Sequence, residues 1–297
     1  MFDLVTIGEV MAELRRDTRK SPDWQIGFAG DMFNSAVYAA RNLPPGRVAF
    51  HSRIGRDPLS ADFADFAQAQ GVDTAHVARI ADRNIGLYSV STDPQGERSF
   101  HYWRDQSAAR GLMLDSETLP AARIYLFSAI TLAILSPQGR DQLLKVLAAR
   151  RAETGCHIAF DSNFRPLLWE SHEAARTAIA AAWEIADIAL PSVDDEMAIF
   201  GDPDEASVLA RFGAREWHAG ALKRGSGGPC PLGAPVDPGV SFAPATHVVD
   251  TTAAGDSFNG AYLAAFLRGA PEPERLTAAH ACAAEVVGHS GAISPRA

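Results

Sequence analysis

Cysteine is scarce. Cys156, Cys230 and Cys282 are the only three in 297 residues. No two stand at C-x-x-C spacing, so neither a disulfide framework nor a thiolate zinc site is suggested, and a reducing cytoplasm fits. Positive charge is also in deficit, with 27 Lys and Arg against 36 Asp and Glu and a net charge of −9. A polyanion needs a basic footprint, which argues against nucleic acid or an anionic membrane surface as the main partner. A small anion held by a few local arginines stays possible. The apolar runs are far too short to span a bilayer. The opening MFDLVTIGEV lacks the basic and extended apolar regions of a signal peptide and reads as a β-strand. Three catalytic signatures are missing: G-x-x-x-x-G-K-[ST], H-E-x-x-H and G-x-S-x-G. Any nucleotide-phosphate site is therefore built another way.

What is present is ordinary for a soluble enzyme-sized chain, with 47% hydrophobic and 21% charged residues. Apolar β-type runs alternate with helical stretches. LVTIGEV, VAFHSRIG, RIYLFSAI, CHIAFDSNF and DIALPS read as strands. GDMFNSAVYAARNL puts Met32, Phe33, Ala36, Val37 and Ala40 on one helical face. Asp57-Pro58, Ser136-Pro137 and Ser171 mark helix starts. IGLYSVSTD and RSFHYWR flank Pro94-Gln95-Gly96 and read as a β-hairpin, a two-faced flap rather than a core strand. GSGGPCPLGAPVDPG reads as an irregular loop. The alternation implies a mostly parallel sheet with helices on both faces, whose ligand sits at the carboxyl ends of the strands. Asp161-Ser162-Asn163 and Pro191-Ser192 fall at such ends.

DTTAAGDSF, Asp250 to Phe258, carries the chemistry. Apolar residues at Phe258, Tyr262, Leu263, Phe266 and Leu267 follow at helical period up to Gly269, so the small residues sit at a helix N-terminus. Unpaired N–H groups and the positive end of the dipole make that an anion site. Asp256 reads in two ways, as a helix cap or as the acceptor of a proton from an attacking hydroxyl.

This segment is similar to the C-terminal signature of the ribokinase-like (PfkB-type) sugar kinases. GEVMAEL, GFAGDMFNSAVYAARN, IGRDP, GLYSVSTD-PQGERSFHYWR, LAILSP, DSNFRPLLW, LKRG and SGAISPR resemble, in the same order, the bacterial 2-keto-3-deoxygluconate kinases. The resemblance spans the chain. It implies a three-layer α/β/α sandwich with a mostly parallel central sheet and a small β-sheet lid. Residues 1–297 are expected to form one kinase domain, with lid segments near 10–29 and 85–105. It also implies that Asp256 is the base and that the backbone of Ala253, Ala254 and Gly255 is the anion hole. Asn163, Lys223, Gly225, Gly228 and Gly255 would bind ATP. ATP and Mg²⁺ are the implied cosubstrate and cofactor, with room for a monovalent cation.

Gly30, Asp31 and Asn34, at a strand-to-helix junction, suit sugar hydroxyls, with a helix cap as the other reading of Asp31. Tyr88, Tyr102 and Arg104 lie on the hairpin, and Arg165 follows a strand end. Two arginines at ligand-facing positions fit a carboxylate, hence a sugar acid. The matching tyrosines and arginines contact substrate in the resembling kinases. The expected reaction is phosphorylation of 2-dehydro-3-deoxy-D-gluconate at the 6-hydroxyl. Alternatives are a same-fold kinase of fructose or another neutral sugar, and a non-catalytic sugar-acid sensor. The N-x-x-E element associated with Mg²⁺ in relatives appears as SVDDE. That leaves the metal ligands unassigned, with Glu196 a candidate through water and Asp194-Asp195 read either as acting through water or as only starting the next helix. Aromatic lid faces at Tyr88 and Tyr102 point to a homo-oligomer, a dimer or larger.

Overall fold

The computed structural model describes residues 1–17, 21–93, 98–114, 118–235 and 241–295. The chain runs through β1 (Phe2–Ile7), β2 (Met11–Asp17), β3 (Gln25–Ala29), α1 (Asp31–Ala40), β4 (Val48–Ile54), α2 (Pro58–Ala69) and β5 (Val77–Arg79). Next come β6 (Gly86–Thr92), β7 (Arg98–Trp103), β8 (Ala122–Ser128), α3 (Ala129–Ile134), α4 (Pro137–Thr154), β9 (His157–Asp161) and α5 (His172–Ile185). It closes with β10 (Ile188–Ala189), α6 (Val193–Phe200), α7 (Glu205–Gly213), β11 (Ala219–Leu222), β12 (Cys230–Pro231), α8 (Ala254–Leu267) and α9 (Glu272–Val286).

Eight strands form the central sheet in the order β12-β11-β10-β9-β8-β1-β4-β5. Every pairing is parallel except β11 with β12. The glycine- and proline-rich loop thus contributes an antiparallel edge strand as well as irregular backbone. Side chains alternate across the strands, as period 2 requires. Val5, Ile7, Phe127 and Phe160 pack under α3 to α7, while Leu4, Ile124 and Leu126 pack under α1, α2, α8 and α9. Phe33, Phe50 and Phe63 interlock on the second face, Phe33 and Phe63 with ring centroids 5.0 Å apart. Burial of each such ring contributes roughly 1.5–3 kcal/mol.

Helix starts follow their local signals. Asp57 accepts from Ser60 N at 3.0 Å, Ser136 from Gly139 N at 3.2 Å and Ser171 from Ala174 N at 3.1 Å. Gly260 of α8 lies against α1 so closely that a Cβ there would sit 2.5 Å from the Ser35 carbonyl oxygen. The two helices therefore touch backbone to backbone.

A second sheet, in the order β3-β2-β6-β7, stands over the carboxyl ends of the central strands. β2 pairs with β6 in parallel, and β3 and β7 flank them antiparallel. The β6–β7 hairpin has the expected pairing, while its Pro94-Gln95-Gly96 turn lies outside the described residues. Among the described residues no helix is long and apolar enough to cross a membrane.

Candidate active site

Between the lid sheet and the central strands lies a cavity of about 1070 Å³. Its wall includes Gly30, Asp31, Asn34, Tyr88, Tyr102, Asn163, Arg165, Lys223, Gly225 and the run from Ala253 to Asp256. Residues separated by more than two hundred positions thus meet in one place.

The floor is the N-terminus of α8. Asp250 folds the preceding turn, its carboxylate accepting from Thr252 N and Gly291 N, both at 2.9 Å. Ala253 is the residue before the helix, held left-handed at φ 62° and offering no side-chain cap. The helix end is left open to an external anion. Asp256 does not cap it. Its Oδ2 accepts instead from Asn34 Nδ2 at 2.8 Å. Burial pushes its carboxyl up to about 7, the charge of Asp31 adds to this, and the Asn34 hydrogen bond opposes it.

Asp31 is the first residue of α1, and Gly30 occupies the cap position. The Asp31 carboxylate accepts from Ser128 Oγ and, at 3.1 Å, from Asn163 Nδ2. Burial raises its pKa, which the Ser128 hydrogen bond resists. Asn163, expected at the phosphates, is thereby tied to the α1 side of the cavity. On the opposite wall Lys223 Nζ donates to Asp161 Oδ1 at 2.8 Å and to Asn259 Oδ1 at 3.2 Å. Asn259 Nδ2 in turn donates to Asp161 Oδ2 at 2.6 Å. A side chain on Gly255 would begin 3.7 Å from the Lys223 ammonium.

The lid contributes a tyrosine pair, Tyr88 stacked on Tyr102 with centroids 5.7 Å apart. The Tyr88 hydroxyl donates to Glu13 Oε1 at 2.5 Å, and burial first, then that carboxylate, hold it protonated. Tyr88 is buried, so of the two tyrosines only Tyr102, at 54% exposure, offers a surface to a second subunit.

Three expected site residues do not line the cavity. Arg104 is turned back and buried in an ion pair with Glu9. Glu196 is fully buried, accepting from Trp183 Nε1 at 3.2 Å and Arg211 Nη2 at 2.9 Å, so it faces the core under α6. Gly228, at φ 73°, lies against the Phe242 ring, where a Cβ would come within 2.7 Å. Conversely, Asp194 and Asp195 both start α6 and also line the cavity. Ser192 Oγ donates to Asp195 Oδ2 at 2.6 Å, and Arg165 stands 3.7 Å from Asp195 Oδ1. Burial raises the Asp195 pKa. Phe100 also lines the cavity and was missed, although it shares the parity of Tyr102 on β7.

Among the described residues no group of three or more His, Cys, Asp or Glu could hold a metal alone. Mg²⁺ is commonly held by one or two carboxylates, water and substrate phosphates. Asp194 and Asp195 fit that requirement, and Glu196 does not.

A lidded three-layer core, with an acid and an open helix end at the strand tips, is the architecture of the ribokinase-like kinases. The chain belongs to the pfkB family of carbohydrate kinases, whose family model matches residues 1–297. It is 37% identical to 2-dehydro-3-deoxygluconokinase of Escherichia coli K12, covering 99% of this chain and 97% of that one. The crystal structure of 2-dehydro-3-deoxygluconokinase from Thermotoga maritima superposes with a TM-score of 0.80 at 20% identity, over 99% of this chain and 96% of that one. Arabidopsis thaliana ribokinase, complexed with ribose and ATP, superposes with a TM-score of 0.77 at 21% identity, over 98% and 94%.

Proposed function

We propose that this carbohydrate kinase transfers the terminal phosphoryl group of ATP to the 6-hydroxyl of 2-dehydro-3-deoxy-D-gluconate, giving 2-dehydro-3-deoxy-6-phosphogluconate. One observation carries the reading: Asp256, at the open N-terminus of α8, shares a cavity with Arg165 and the Tyr88–Tyr102 pair. The 37% identity to 2-dehydro-3-deoxygluconokinase supports the choice of sugar.

Asp256 accepts the hydroxyl proton. With its pKa near 7 it is basic enough for the task and still largely ionised at slightly alkaline pH. Asn34 holds the accepting carboxylate in place. The backbone of Ala253, Ala254 and Gly255 receives the charge of the transferring group at the positive end of α8. Lys223 adds a cation beside Gly255, and the glycine turn at Gly225 borders the nucleotide end. Mg²⁺, held through water by Asp194 and Asp195, would neutralise phosphate charge. Gly30, Asp31, Asn34 and the tyrosines face the sugar, and Arg165 its carboxylate. Closure of the lid excludes water that would otherwise take the phosphoryl group.

One observation favours a neutral sugar instead: Arg104, the second candidate for the carboxylate, already has Glu9 as partner. A coupled ADP assay decides, across 2-keto-3-deoxygluconate, its galacto epimer, gluconate, fructose and ribose. The expected outcome is highest kcat/KM on 2-keto-3-deoxygluconate, lost in Asp256→Asn. Faster turnover of fructose or ribose sinks the sugar-acid reading. Equal background rates in wild type and Asp256→Asn on every sugar sink the catalytic one.

A further inference from the structure

The first turns of α8 hold more than the base. Asn259 lies three positions after Asp256, one turn along the same helix. It is fully buried. Its amide bridges the two strand tips opposite: Nδ2 donates to Asp161 Oδ2 at 2.6 Å, and Oδ1 accepts from Lys223 Nζ at 3.2 Å. Asp161 is the last residue of β9, and Lys223 directly follows β11. The triangle closes where Lys223 Nζ donates to Asp161 Oδ1 at 2.8 Å. The neighbours fix which way the amide points, since a carboxylate only accepts and an ammonium only donates. Leucine in its place would do neither job, and an ionised aspartate only the second.

A lysine ammonium sits on a flexible four-carbon stem, whose freedom must be removed before the charge acts at a defined point. Asp161 and Asn259 take two of its three donors. The third remains on the cavity wall, where Lys223 stands beside Gly255 of the anion hole. One carboxylate oxygen alone would leave the ammonium free to swing about it. Asn259 supplies the second point of reference, and its own place is set by the backbone contact of the next residue, Gly260, with α1. The charges around Asp256 depend on the same geometry. Burial raises its pKa most, Asp31 and Asp161 raise it further, and Asn34 and Lys223 oppose them. A displaced Lys223 would oppose them less.

We propose that Asn259 is a positioning residue for phosphoryl transfer: its amide holds the Lys223 ammonium at the anion hole, so that base, anion hole and cation are all referenced to α8. The inference rests on the kinase reading above and is independent of which sugar is phosphorylated. Asn259 does not itself line the cavity and acts through Lys223.

The test is a double-mutant cycle on the full chain: wild type, Asn259→Leu, Lys223→Met and the double variant. It is run with the sugar of the panel that wild type turns over fastest. Asn259→Leu is expected to lower kcat at least tenfold, to leave KM for the sugar within twofold, and to add nothing once Lys223 is methionine. Both single variants should also move the acidic limb of the kcat/KM profile upward, since each weakens the pull of a cation on Asp256. Asn259→Ser, whose hydroxyl is too short to span both partners, carries the same cycle if Asn259→Leu does not fold. Additive losses in kcat would mark Asn259 as merely structural and overturn the proposal. A lower melting temperature with kcat and the acidic limb unchanged overturns it too. So does full activity in Lys223→Met, which leaves the kinase reading intact as long as Asp256→Asn is inactive. If wild type makes no ADP above background with any sugar, both fall together.

Discussion

Asn34 Nδ2 donates a 2.8 Å hydrogen bond to Asp256 Oδ2 and so ties the first turn of α1 to the first turn of α8. The donor favours the ionised form of an acid that burial has already raised to about 7. Replacing Asn34 with Leu removes a hydrogen bond to a charged group, about 1.5–3 kcal/mol, equivalent to about 1–2 pKa units. The acidic limb of the kcat/KM profile should move upward by that amount between pH 5.5 and 9. A limb that stays in place would belong to another group.

Asp256 should also be a liability to stability. Burial holds its pKa at about 7 in the folded chain, against about 3.9 for an unperturbed aspartate. Between those values the folded state holds the extra proton, so stability falls as pH rises through the window. Asp256→Asn is therefore expected to abolish turnover and to melt higher than wild type at pH 8, with little difference near pH 4. A chain of about this size gains roughly 2–4 °C for each kcal/mol relieved. Equal melting temperatures at pH 8 would contradict the buried charge.

Ala253 sits left-handed at φ 62°, a conformation that costs an L-residue roughly 1–2 kcal/mol. Ala253→Gly relieves that strain and loses part of the gain to a looser unfolded chain, so equal or slightly higher stability is expected with kcat retained. Ala253→Val, β-branched, should lower both. Melting curves and initial rates check the pair. A valine variant with full activity would show that this backbone does not set the anion hole.

The two acids at the start of α6 separate cleanly by experiment. Asp195→Asn should raise the Mg²⁺ concentration for half-maximal rate by roughly tenfold, since Mg²⁺ is held by so few carboxylates. Glu196→Gln should leave that value alone and cost up to roughly 3 kcal/mol of stability by breaking its buried pairing with Arg211. Mg²⁺ titrations and denaturant melts distinguish them, and the reverse pattern would restore Glu196 to the metal.

Arg165 is half exposed and already near Asp195, which discounts its pairing with a ligand. Arg165→Met should still raise KM for the sugar acid about ten- to a hundredfold, with KM for ATP unchanged. An unaffected sugar KM would leave the carboxylate to other groups.

Features set by local chemistry were legible before the structure. Strand parity, the caps at Asp57, Ser136 and Ser171, and the helix after DTTAAGD all follow from short-range rules. What escaped was side-chain direction across distant elements. Arg104 reads as ligand-facing on its hairpin until Glu9, 95 positions away, arrives beside it. Glu196 reads as a metal candidate through water until Arg211 and Trp183 enclose it. Asp194 and Asp195 begin a helix, as their composition implies, yet only the placement of α6 turns them toward the cavity. The Lys223–Asp161–Asn259 triangle joins three elements and has no short-range sign at all.

The absent side chain at Gly260 has a consequence for retargeting the enzyme. Because α8 meets α1 at the backbone of Ser35 and Ala39, the spacing between Asn34 and Asp256 is set by main chain, which tolerates little adjustment. Among the described residues the chain crosses between lid and core at four short passages, at residues 8–10, at Gly30, before Gly86 and at Arg104. A new sugar can therefore be accommodated by rewriting β6 and β7 while the phosphoryl-transfer frame stays as it is. A mutational library confined to residues 86–92 and 98–103 should yield altered sugar preference with kcat largely preserved, whereas variation at Gly260 should cost turnover on every sugar alike.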